Sequence, residues 1–180
     1  MSELTDTFGT IRKDSVIKID NNDLTIENIW NTYCSSISID SKYHGVEFSI
    51  PNKDITILVF DGTNFINHKI KRLIRHKVFT CTTDITLSNG FNISVVDGCN
   101  LLSSNGYIKK FGRGISLGIP SIIADNKKSY YVDTDGNLFL IKISNINYVN
   151  INDYTYSFEI DNYHNFIANG IICGDFIKNN

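Results

Sequence analysis

The sequence predicts an all-β domain built from many short strands with little helix. Three observations carry this. The chain holds 29 Ile, 11 Phe and 9 Tyr but two Ala (Ala124, Ala168); bulky β-branched and aromatic residues suit strands, and scarce Ala argues against helices. Short runs of alternating apolar and polar residues recur along the whole length. These runs are bounded by Gly, Asn and Asp, including the dipeptide Asn89–Gly90, a strong hairpin signal. The 22 Asn and the Ile excess also fit an AT-rich genome.

The elements follow in order. Ser15–Ile19 alternates and ends in the turn Asp20–Asn21–Asn22–Asp23. Leu24–Trp30 reads as a strand plus a short helical turn. Tyr43–Ile50 and Ile55–Phe60 read as strands, the second closed by Asp61–Gly62. Phe65–Phe79 is a basic strand pair or one bent strand. Ile85–Leu87 and Phe91–Val96 flank Ser88–Asn89–Gly90, and Leu101–Leu102 and Tyr107–Ile108 flank a second turn ending in Gly106. Gly112–Gly118 reads as a loop; it lacks the Lys-Ser/Thr ending and the helix of a phosphate cradle. Tyr130–Val132 and Leu138–Ile143 flank Asp133–Gly136, and Tyr154–Ile160 and Phe166–Ile172 are the last strands. The expected whole is a disc or a sandwich.

Composition narrows the function. At 180 residues and 20.4 kDa the chain is one domain or two small ones. A net charge of −2 offers no basic field for nucleic acid. The 42 % hydrophobic content supports a core rather than disorder. Met1–Asp14 has no apolar stretch behind basic residues, so no signal peptide is expected, and no apolar run nears the ~18 residues of a membrane span. Cys34, Cys81, Cys99 and Cys173 are scattered without a CxxC pair, which speaks for reduced thiols in a cytoplasmic chain rather than zinc. His44, His68, His76 and His164 are too dispersed for a ligand set.

The sharpest signal is the run Tyr156-Ser157-Phe158-Glu159-Ile160, then His164-Asn165-Phe166, then Ala168-Asn169-Gly170-Ile171, ending at Cys173-Gly174-Asp175. This resembles the C-terminal motifs of inteins, the self-splicing members of the Hint (hedgehog/intein) superfamily. Ile57–Gly62 and Ile70–Lys77 look like a stretch of inteins in family B DNA polymerases. Ile93–Leu102 falls where the family has a Thr-x-x-His motif, and Asp14–Ile17 with Leu24–Trp30 resembles its first motif. The likeness covers Thr10 to Asp175 and implies the disc- or horseshoe-like Hint fold. It also implies a minimal intein over 10–175 without a homing endonuclease, with 1–9 and 176–180 as flanking remnants.

The resemblance implies a chemistry. The first residue attacks the carbonyl before it and turns an amide into an ester or thioester. A Thr and a His protonate the departing nitrogen. The residue after the domain takes over the acyl group, and a terminal Asn cyclises beside a His. On this chain the roles fall on Thr10, preceded by Gly9; on Val96-Asp97-Gly98-Cys99 in place of Thr-x-x-His; on His164; and on Gly174, Asp175 and Phe176 at the far end. Thr10 is a β-branched substitute for Cys or Ser, or it is a loop residue in another register. Asp97 could hold the amide or cap a turn. Cys99 stands where the family has its His, as a reacting group or as core. Ser157 stands where an Asp is common. Gly174 replaces the penultimate His and Asp175 the terminal Asn, while Phe176 offers no nucleophile. Cys173 is either core or a relocated nucleophile.

The frame thus matches while most reacting positions depart from it. The expected function is autocatalytic splicing or backbone cleavage, inactivated or atypical as written. The alternative is a degenerate Hint or other β-rich interaction protein without catalysis. The first reading calls for no cofactor or metal. Its partners are the chain's own flanking segments, or a complementary fragment if the chain is naturally split, with 124–130 as the break. The chain is then expected to be a monomer that engages neither nucleic acid nor membrane.

Overall fold

The computed structural model describes residues 11–43, 45–96, 100–102, 108–110 and 128–174, with backbone alone at 80, 100–102 and 108–110. Among these residues there are fifteen strands and one helix. In chain order they are β1 (Ile11–Arg12), β2 (Val16–Ile19), β3 (Asn22–Thr25), α1 (Ile26–Tyr33), β4 (Cys34–Ile39), β5 (Val46–Pro51), β6 (Thr56–Phe60) and β7 (Phe65–Lys69). There follow β8 (Arg72–Leu87), β9 (Asn92–Val96), β10 (Asn100–Leu102), β11 (Ile108–Lys110), β12 (Lys128–Val132), β13 (Leu138–Glu159), β14 (Asn165–Ala168) and β15 (Ile171–Gly174). The all-β expectation holds. No helix among the described residues is long and apolar enough to cross a membrane.

The strands form two sheets. One runs β12-β13-β1-β9-β8-β5-β4, and β13 also pairs with β8. The other runs β11-β10-β15-β14-β2-β6-β7, with β3 on β2. The extra pairing closes part of the first sheet into a ring. β13 lies along β8 from Glu159 opposite Arg72 to Ile143 opposite Leu87. β8 pairs with β9, and the two-residue β1 bridges β9 back to β13.

Both sheets feed one core, in which Ile17, Ile19, Phe158, Phe166 and Ile171 meet. Its cause is legible in β2, where Ile17 and Ile19 are buried and Val16 and Lys18 are exposed; side chains of a strand alternate between its faces. The rings of Phe158 and Phe166 meet edge to face, 5.1 Å apart at 87°, and so join β13 to β14.

Several expectations are corrected. Ile85–Leu87 and Tyr154–Ile160 are not separate strands but the ends of β8 and β13, of 16 and 22 residues. β8 changes its second neighbour partway, from β5 at Leu73–His76 to β9 at Thr82–Thr86. Between those stretches Phe79 is 82 % exposed, so the alternation lapses although the ladder to β13 continues. Phe65–Phe79 divides at Ile70–Lys71, and its halves enter different sheets. Phe166–Ile172 is not one strand but a hairpin. β4 was not expected; it leaves α1 without any turn residue between Tyr33 and Cys34. Tyr130–Val132 is a strand as expected, and Lys128 and Ser129, expected in the break segment 124–130, belong to it as well. Gly112–Gly118 and the turn at 103–107 lie outside the described residues.

Candidate active site

The N-terminal end of the described chain is held from three sides. Ile11 lies opposite Val95 on one edge and Tyr156 on the other, and is fully buried. Burying such a side chain contributes about 1.5–3 kcal/mol, so β1 is anchored although it is two residues long. Beyond it, Ser15 N–H donates to the Arg12 carbonyl at 3.1 Å, closing a turn. That turn sits on the start of α1. The Ile26 N–H donates to the Ser15 carbonyl (2.9 Å) and the Glu27 N–H to the Lys13 carbonyl (3.2 Å). Thr25 Oγ1 accepts from the Asn28 N–H at 3.3 Å. Three N–H groups that a helix leaves orphaned are thereby satisfied.

Charge fixes the same segment. Lys13 Nζ is 2.7 Å from Asp153 Oδ2. Their hydrogen bond raises the lysine and, with the Tyr154 N–H, lowers the carboxyl. Next to Ile11, burial pushes the Tyr156 hydroxyl up to about 12.

The C-terminal end is a hairpin. β14 and β15 pair from Ala168–Ile171 at the turn to Asn165–Gly174 at the open end. The turn residues Asn169 and Gly170 have φ of 49° and 76°, the positive pair that a type I′ turn demands and that Asn-Gly supplies. The Gly170 carbonyl accepts from Val132 N–H at 2.7 Å.

One short connection links both ends. Ile11 pairs with Val95 on β9, and Cys173 pairs with Leu101 on β10. Val96 ends β9 and Asn100 begins β10, so only residues 97–99 separate them. Four steps of chain span at most about 14 Å. The strand that follows residue 10 and the strand that precedes residue 175 therefore flank one connection between the sheets.

Solved structures show the same architecture. A crystal structure of an intein from a hyperthermophile superposes with a TM-score of 0.75 at 14 % identity, covering 93 % of this chain and 99 % of that one. The chain has the intein fold. A DnaB intein from Synechocystis sp. PCC 6803 gives a TM-score of 0.67 at 16 % identity, covering 94 % of this chain and 99 % of that one. The Pab PolII intein gives 0.69 at 16 % identity, covering 92 % of this chain and 100 % of that one. Inteins of different hosts are thus equally similar in sequence, and the likeness to polymerase inteins goes no further than the fold. No family model and no curated protein matches the sequence.

Within the intein fold the sequence-derived site residues fare unequally. Gly9, Thr10, Asp97, Cys99, Asp175 and Phe176 lie outside the described residues. Cys173 is described and fully buried, with Phe166 across the hairpin and its Sγ 3.6 Å from the Ile171 carbonyl. That is the core reading of this residue; a nucleophile there would have to leave the core to react. Gly174 is buried at the end of β15. His164 is exposed and has a φ of 52°. It directly precedes the rung Asn165–Gly174.

Sequence reasoning missed two residues of this region, Asn165 and Asn169. Both side chains bond across to other strands (Phe60, Val16, Asn92). The hairpin signal of Asn169–Gly170 was available, since the same dipeptide marks the turn at Asn89–Gly90.

Proposed function

We propose that the chain is a self-processing domain that acts on the backbone at its own two ends. The observation that carries this reading is the flanking of one connection, 97–99, by β1 on one side and β15 on the other. Intramolecular attack gains most of its rate from such proximity. The unit is residues 10–175, and its substrates are the segments before and after it; no further partner or cofactor enters.

In this scheme the Thr10 hydroxyl attacks the Gly9 carbonyl. The C–N bond becomes a C–O bond; the nitrogen of residue 10 takes a proton from a group on 97–99, Asp97 or Cys99, and the proton released by the Thr10 hydroxyl restores that group directly or through water. At the far end, the side chain of residue 175 attacks its own carbonyl, and the amine of residue 176 leaves with a proton that His164 supplies directly or through water. Gly174, without a side chain, leaves that step one acid/base group short. As written the steps are slow. Thr10 is crowded, an Asp175 carboxylate is a poor nucleophile, and Phe176 cannot accept an acyl group. Each lost group costs a factor of ~10²–10⁴.

The test restores the ends. Thr10→Cys, Asp175→Asn and Phe176→Cys are combined, the chain is placed between two reporter proteins, and intact masses are read with and without a small thiol. Thiol-dependent release of the N-terminal reporter, or ligation of the two reporters, is expected. A full-length product that no thiol cleaves would overturn the reading and favour a non-catalytic protein on the same fold.

A further inference from the structure

Asn165 is a buried amide that spends its polar atoms on holding the chain. Its Oδ1 accepts from the Phe60 N–H at 2.8 Å, and its Nδ2 donates to the Phe60 carbonyl at 2.8 Å. Bonding both backbone groups of one residue imitates a rung of a β ladder, and it ties β14 to the end of β6. The same Nδ2 donates to the Tyr163 carbonyl at 2.9 Å.

These bonds grip the chain on both sides of His164. Ahead of it, Tyr163 is fixed by its carbonyl, by its N–H to the Asp161 carbonyl (3.0 Å) and by its ring against His68 (5.0 Å, edge on). Behind it, Asn165 is fixed by Phe60 and by the rung to Gly174. Between these anchors His164 adopts a φ of 52°, and Asn162, ahead of Tyr163, one of 72°. Left-handed backbone is unfavourable for residues other than glycine and persists where the surroundings over-determine it. The rung to Gly174 also makes Asn165 the described residue that joins this turn to the end of β15.

We propose that Asn165 is a positioning residue for His164, holding it in the left-handed conformation from which it serves the C-terminal junction. The proposal rests on the self-processing reading for the word junction, and on hydrogen-bond geometry for the rest.

The test uses NMR on the full chain, where a strong amide–Hα NOE within His164 marks its positive φ. Asn165→Asp keeps the acceptor and loses both donations, and should weaken that NOE to the level seen for residues of negative φ. Asn169→Ala cuts other bonds of the same hairpin and should leave it intact despite a lower Tm. Asn165→Gln carries the same groups one methylene further out, and replaces Asn165→Asp if that variant is unfolded. In the chain with restored ends, Asn165→Asp should slow C-terminal cleavage ~10–100-fold and leave thiol-dependent N-terminal cleavage unchanged. An intact His164 NOE in a folded Asn165 variant overturns the positioning role. If the restored chain never cleaves, the self-processing reading falls on its own, and the NOE still decides whether Asn165 sets the backbone of His164.

Discussion

Asn169 and Val16 are joined by two hydrogen bonds: the Asn169 N–H donates to the Val16 carbonyl at 3.0 Å, and Asn169 Oδ1 accepts from the Val16 N–H at 2.7 Å. The remaining amide group reaches the Asn92 carbonyl at 2.7 Å. One turn residue therefore fastens the β14–β15 hairpin to both sheets. Asn169→Ala removes the two side-chain bonds and places Ala at a φ of 49°. It should cost about 2–4 kcal/mol. Asn169→Gly loses the same bonds without the backbone penalty and should cost less. Urea unfolding of the two variants measures the difference.

Gly170 has no room for a side chain. A Cβ there would stand 2.3 Å from Tyr131 Cε2 and 3.0 Å from the Val132 carbonyl oxygen, at a φ of 76°. Gly170→Ala should destabilise by about 2–4 kcal/mol, from strain and from displacing Tyr131. Trimming Tyr131 in a Gly170→Ala background should recover only part of this, because the backbone contact remains. Denaturant midpoints of the single and double variants give the coupling.

Ile11→Ala should cost about 2–5 kcal/mol, as other buried large-to-small changes do, because Ile11 is fully buried between Val95 and Tyr156. Val16→Ala, at a residue 41 % exposed, should stay within about 0.5 kcal/mol. In the chain with restored ends, Ile11→Ala should also slow the N-terminal step more than the C-terminal one, since β1 carries residue 10. Thermal melts and the ratio of the two cleavage rates check this.

Alkali should unfold the protein partly through Tyr156. Burial raises its hydroxyl from the ordinary 10.0 to about 12, so between these values the unfolded chain ionises first and binds fewer protons. Stability is then full below pH 10 and falls as pH rises toward 12. Each tenfold difference in proton affinity between the folded and unfolded chain is worth about 1.4 kcal/mol, so this residue's share is about 2–3 kcal/mol. Tyr156→Phe should flatten the decline in that window relative to the parent. Unfolding free energies measured at intervals across that range decide the point.

Much of the fold was legible because it rests on local rules. The alternation Ile17–Ile19 announced a half-buried strand, Asn89–Gly90 a hairpin, and Leu24–Trp30 a strand plus a short helical turn, which is α1 with Ile26, Ile29 and Trp30 buried. Motif order pointed to the intein fold, which the solved structures share. The continuity of β8 and β13 was not legible, because Phe79 points into solvent where β8 passes from β5 to β9. A single strand shows no periodic sign of a change of partner.

By itself the sequence determined the strand class, many of the turns and which residue types are present to react: a histidine at 164 and thiols at 99 and 173. Tertiary structure alone decided which of these groups are buried and which strands are neighbours. It sent Cys173 into the core and left His164 exposed in a left-handed turn. It also set β1 and β15 against the two strands joined by residues 97–99. The reason is physical: β1 and β15 are far apart along the chain, and their placement beside β9 and β10 depends on long-range pairings that no local propensity encodes.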